Sequence, residues 1–149
     1  MLSGLILLLI GSVILAPHAT ADSGASIQFR GEGELARFEP GVKLFTDRGY
    51  KLTDEVPEDL RGKPFLRNGI ARPEDWLVTE PGTLTVLTPP PGAKYGSQAG
   101  ALEEAGFERI PGLEFQLFGD EPWNRVAAYR RQAGEGERLV FNKVVVALG

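Results

Sequence analysis

The residues of this 149-residue chain that could do chemistry are few, and most are carboxylates. Asp54-Glu55 with Glu58-Asp59, Glu103-Glu104 and Asp120-Glu121 are acidic groups close in sequence. Paired carboxylates hydrolyse glycosides when one protonates the leaving oxygen and the other attacks or activates water, which requires them to face each other about 5 to 10 Å apart across a cleft. Neighbours in a loop do not meet that requirement by themselves. The acidic pairs therefore read as solvated turns and the chain as non-catalytic, with a small carboxylate-dependent hydrolase as an alternative. Turn-borne Asp, Glu and carbonyl oxygens are the ligands that Ca2+ takes, although no Asp-x-Asp-x-Asp-Gly loop is present. No cofactor is expected, with Ca2+ as the alternative.

The chain has no cysteine and a single histidine, His18, which lies in an apolar leader. With the leader removed, neither residue type remains. That excludes Ser-His-Asp and Cys-His nucleophile systems, thiolate zinc sites and every His-ligated metal centre. Gly31-Glu32-Gly33 and Gly134-Glu135-Gly136 are not phosphate loops, because they lack the strand-to-helix setting and the Lys and Ser/Thr that such loops use.

Binding chemistry is better represented. Aromatic rings in loops can pack on the C–H faces of sugar rings while neighbouring amides and acids bond the hydroxyls. Trp123 lies in such a loop, between Pro122 and Asn124 with Asp120 close by, and Tyr95 lies in another after the run Pro89-Pro90-Pro91-Gly92. Asp120, Trp123, Asn124 and Tyr95 are the candidate ligand-binding residues; no catalytic residue or metal ligand is assigned. Trp76, Tyr50 and Tyr129 are expected in the core, the tyrosines with hydrogen-bonded hydroxyls.

The net charge of -4, from 16 basic and 20 acidic residues of mixed order, argues against nucleic acid, which calls for a concentrated basic patch. Arg125, Arg130 and Arg131 form the densest basic spot and read as solvated strand faces. Residues 1–21 have the layout of a signal peptide: an apolar run from Leu2 to Leu15, then Pro17, then the small-x-small site Ala19-Thr20-Ala21 ahead of Asp22. The n-region carries no Lys or Arg, and a retained anchor is the alternative reading. The apolar run is shorter than the roughly 20 residues of a spanning helix, so no stable membrane span is expected after cleavage, and the protein is expected to be secreted or periplasmic.

The elements that must position these residues are mostly strands. Residues 22–41 read as a polar leader and an edge strand, and residues 42–149 as one domain. The stretch WLVTEPGTLTVLTP, Trp76 to Pro89, is dense in β-branched and aromatic residues and reads as a hairpin folded across a type II turn at Pro81-Gly82. Further strands are expected at 42–46, 50–53, 64–68, 107–110, 113–118 and 125–132, with Leu139 to Leu148 as the longest. Val56 to Gly62 has the composition of a single helical turn. One short helix is expected over 97–105, capped by Ser97 and ended by Gly106. Eight or nine short strands with turn signals between them predict an all-β fold, a β-sandwich of jelly-roll type with one short helix.

LFTDRGY (Leu44 to Tyr50), VPEDLRGKPFLRN (Val56 to Asn68), PGTLTVL (Pro81 to Leu87), EEAGFERI (Glu103 to Ile110), FQLF (Phe115 to Phe118), VAAYRR (Val126 to Arg131) and the closing NKVVVAL together resemble a β-sandwich accessory module of exported bacterial carbohydrate-active and surface proteins, over about residues 42–149. The resemblance implies recognition of a glycan or another cell-envelope component. The alternative is a structural or protein–protein interaction domain.

Overall fold

The computed structural model describes residues 28–141 and 146–149. The chain builds strands β1 (Gln28–Arg30), β2 (Glu34–Arg37), β3 (Pro64–Arg67), β4 (Glu74–Glu80), β5 (Gly82–Thr88), β6 (Glu108–Gln116), β7 (Arg125–Ala133), β8 (Arg138–Phe141) and β9 (Val146–Leu148). It also forms one α-helix, α1 (Ala99–Glu104), and two 3-10 turns, Glu58–Leu60 and Pro122–Asn124. The result is the all-β, sandwich-like architecture with one short helix that the strand spacing predicts. The predicted signal peptide lies outside the described residues. Among the described residues no helix is long and apolar enough to cross a membrane.

The strands pair antiparallel in three groups, ordered β1-β4-β8, β2-β3 and β6-β7-β5-β9. The four-stranded sheet is the centre, because alternate residues of its strands feed two separate apolar clusters. Leu84 and Val86 of β5, Ala127 and Tyr129 of β7 and Ala147 of β9 join Trp76, Val78, Leu139 and Phe141 of the β1-β4-β8 sheet and Leu102 of α1. On the other face Leu87, Val126, Ala128, Val146 and Leu148 meet Phe38, Leu44, Leu52, Val56 and Leu60 from the irregular segment 38–62. That period of two is the pattern of strands covered on both sides. β3 runs beside β9, where the Gly149 N–H donates to the Pro64 carbonyl at 2.9 Å. Phe65 enters one cluster and Leu66 the other.

The predicted hairpin at Pro81-Gly82 is not formed. β4 and β5 are consecutive but belong to different sheets; β4 pairs with β1 and β8, and β5 with β7 and β9. Gly82 is not a turn residue but the first residue of β5, opposite Ala133. Trp76 and Val78 thus face Leu84 and Val86 across the sandwich instead of lying beside them. Both partners of each strand come from elsewhere in the chain, and Pro81, with no N–H to give a ladder, sits where the chain changes layer. The same crossing divides the predicted closing strand, since Arg138–Phe141 extends the outer sheet and Val146–Leu148 the central one. Val144 and Val145 lie outside the described residues.

The segments 42–46 and 50–53, expected as strands, carry only the bridges Lys43↔Lys51 and Leu52↔Phe118 and serve as apolar cover. The runs 107–110 and 113–118 merge into one strand, β6, whose register against β7 slips between Arg109 and Glu114, around Pro111-Gly112. Tyr129 is fully buried as expected, but among the described residues its hydroxyl has no hydrogen-bond partner. Two of the three arginines of the basic spot are ion-paired, Arg125 with Glu55 at 3.3 Å and Arg131 with Glu137, and Arg130 is exposed.

Helix α1 is shorter than its predicted range, and its cap residue is Gln98, not Ser97. Ser97 Oγ still accepts the Ala99 N–H at 3.1 Å, and Thr88 Oγ1 accepts that of Gln98 at 3.0 Å. At the other end the Gly106 N–H donates to Glu103 O and the Phe107 N–H to Leu102 O, a Schellman exit with Gly106 at φ +87 and Phe107 packed with Leu102. Gly106→Ala should therefore cost about 1 kcal/mol of stability, read as a lower midpoint in urea denaturation. An unchanged midpoint would show that the left-handed exit is not required.

Candidate functional site

Three loops and the start of one strand enclose a pocket of about 420 Å³. Its floor and walls are largely apolar, from Leu44, Phe65, Leu66, Leu87, Leu117 and Val126, so it opens directly onto the core. The polar and aromatic residues around it come from far apart in the chain, and local hydrogen bonding accounts for the position of each.

Phe45 and Tyr50 sit on the segment after Phe38, which is tied to the exit of β3. Arg67 Nε donates to Lys43 O at 2.7 Å, the Thr46 N–H to Asn68 O at 3.0 Å, and the Ile70 N–H to Asp47 Oδ1 at 3.0 Å. Tyr50 stacks on Phe118, ring centroids 4.6 Å apart and 15° between planes, and Phe45 meets both rings edge-on. Tyr50 is 43% exposed and so is not the core residue the sequence suggests. Its position follows from the bend at 46–48, after which the segment returns along the rim.

Trp123 and Asn124 lie on the 3-10 turn between β6 and β7. That loop is organised by Gln116, a buried amide that donates to both Phe118 O at 3.2 Å and Glu121 O at 2.6 Å. Asn124 Nδ2 donates to Glu121 Oε2 at 3.2 Å. Tyr95 comes from the loop between β5 and α1, where Ala93 N–H to Pro90 O and Gly96 N–H to Ala93 O make two successive turns. The structure brings Tyr95, Trp123 and Asn124 to one pocket, whereas Asp120 is exposed outside its lining. Tyr95 and Trp123 meet edge to face, centroids 6.4 Å apart, and are 60% and 37% exposed. Lys94 Nζ lies 4.4 Å from the Trp123 ring centroid and 5.1 Å from that of Tyr95.

Glu74, the first residue of β4, also lines the pocket. It is only 6% exposed, and its Oε2 accepts the Trp76 Nε1–H at 2.9 Å. Burial raises its pKa to about 7, against the opposing effect of the Trp76 hydrogen bond. A carboxyl so placed changes charge near neutrality, where an exposed glutamate does not. In the sequence Glu74 falls between the strand expected at 64–68 and the stretch that begins at Trp76, and is assigned to neither. The signal was present in the alternation of Glu74, Trp76 and Val78, which puts all three on the inward face once the strand is extended back by two residues.

Of the acidic pairs singled out from the sequence, only Glu121 reaches the pocket, and its carboxylate is held by Asn124. Arg72 and Arg125 are the basic residues of the lining; Arg125 is paired with Glu55. Among the described residues no group of three or more Asp, Glu, His or Cys could hold a metal ion.

Fold and site together define a sandwich-like β-protein with an aromatic-rimmed, mostly apolar pocket containing one buried carboxyl. No known protein family, curated protein or solved structure matches the chain.

Proposed function

We propose that this is an exported, non-catalytic binding protein, secreted or periplasmic, whose pocket recognises a glycan unit or another small cell-envelope component. The observation that carries this reading is the convergence of Tyr95 and Trp123, from two loops distant in the chain, as an exposed ring pair at a pocket of about 420 Å³. Aromatic walls with a few convergent polar groups are the usual composition of a small-ligand site. The alternative, a structural or protein-interaction domain that uses a sheet face or edge strand, is favoured where these rings are buried, and here they are exposed.

The test is binding to a glycan array and to isolated envelope fractions, followed by titration of the best ligand. Trp123→Ala should weaken that ligand about tenfold or more while the far-ultraviolet spectrum stays unchanged, since Trp123 is outside both core clusters. Undiminished binding by the variant would remove this pocket as the site.

A further inference from the structure

Two features, one at the pocket's aromatic rim and one in its lining, bear on the charge of its ligand. The Tyr95 and Trp123 rings already hold an ammonium group, that of Lys94, at 5.1 and 4.4 Å from their respective centroids. This is the distance at which a ring quadrupole attracts a cation. A sugar stacking on that face of Trp123 would have to displace Lys94, whereas a ligand cation would replace it in kind. The second feature is Glu74. It is nearly fully buried, it lines the pocket, and among the described residues its side chain has one hydrogen-bond partner, the neutral indole of Trp76. Neither Arg72 nor Arg125, the basic residues of the lining, forms an ion pair with it. A buried carboxylate without a counter-ion is costly, and a cation entering the pocket removes that cost.

We infer that the pocket selects an organic ammonium ion, with Glu74 as its counter-ion and the rings of Tyr50, Phe118, Tyr95 and Trp123 as its walls. The inference rests on the reading of this pocket as a ligand site and adds the chemical class of the ligand. The ammonium can be borne by a sugar or by an aromatic or lipid amine; the protein reads the shared cation.

Matched probes separate these cases. Glucosamine against glucose, and benzylamine against benzyl alcohol, are titrated into the full chain by calorimetry at neutral pH, with tryptophan fluorescence as a second signal. The cation of at least one pair should bind about tenfold or more tighter than its neutral partner. Preference within the first pair alone identifies a sugar-borne amine. Glu74→Gln, nearly isosteric, should abolish that preference, so that cation and neutral partner bind the variant alike. Lys94→Ala should raise affinity for the cation several-fold by freeing the rings. Equal binding of cation and neutral partner in both pairs would overturn the inference and leave the pocket as a neutral-ligand site; a preference that survives Glu74→Gln would overturn it by showing that Glu74 is not the counter-ion. Absence of binding by all four probes, together with a negative glycan array, would overturn both the inference and the reading of the pocket beneath it.

Discussion

Glu74→Gln is expected to make the protein more stable at about pH 8, by about 3 kcal/mol, and to have little effect at about pH 4. The sign follows from the direction of the shift. The carboxyl titrates at about 7 in the folded protein against 4.5 for an unperturbed glutamate, so between those values the folded state binds the proton and the unfolded state does not. Stability from this group is therefore full below pH 4.5, declines as pH rises towards 7, and is lost above it. The amide carries no titrating proton and removes the decline, while still offering an oxygen to the Trp76 N–H. Asp75, one residue on, is held below the usual carboxylate range by its hydrogen bonds to Arg138, an interaction that is lost in acid, so its contribution has the opposite sign. Urea denaturation of both proteins across pH 4 to 8 reads the difference. Parallel curves over the whole range would show that Glu74 is not buried as described.

The largest loss of stability is expected at Trp76. Its side chain is fully buried and its ring stacks on Phe29, with centroids 3.5 Å apart and 16° between planes. That contact fastens β1 to the outer sheet. Trp76→Ala removes the largest side chain of its cluster and should cost about 3 to 5 kcal/mol, a substantial share of the about 5 to 15 kcal/mol that hold a domain of this size folded. It also removes the only side-chain donor to Glu74 among the described residues. Trp76→Phe separates the two effects, since it keeps most of the packing and loses only the N–H. The phenylalanine variant should lose less stability and titrate Glu74 at a higher pH than the native protein. A denaturation midpoint unmoved by alanine would contradict the packing around this ring.

What the sequence showed and what it hid divide along a physical line. Period-two alternation and turn residues are local, so Pro64–Arg67, Arg125–Ala133 and the faces of Val126, Ala127, Ala128 and Tyr129 were legible, as was the helix ended by Gly106. Which sheet a strand joins is decided by distant partners, and Pro81-Gly82 between two β runs is equally compatible with a hairpin and with a change of layer. The outcome was set by β7 and β9, which take both edges of β5, and by β1 and β8, which take both edges of β4. In the site, Tyr95 and Trp123 stood out because large rings between turn residues are exceptional in loops. Glu74 did not, because a charged residue is by default solvated and only its place on the inward face of β4, bonded to Trp76 and opposite Phe141 of β8, makes it otherwise.

The crossing of the chain between layers also has a kinetic meaning. The outer sheet takes β1 (Gln28–Arg30) from one half of the polypeptide and β8 (Arg138–Phe141) from the other, so a nascent or severed half cannot complete it, and wide loops must close before pairing repays them. Assembly of that kind belongs to the slower class of single-domain proteins, in the range of about milliseconds to seconds. The pocket is a late product of the same process, since its lining runs from Leu44 to Val146. Ligand can be captured only by a molecule that has finished folding.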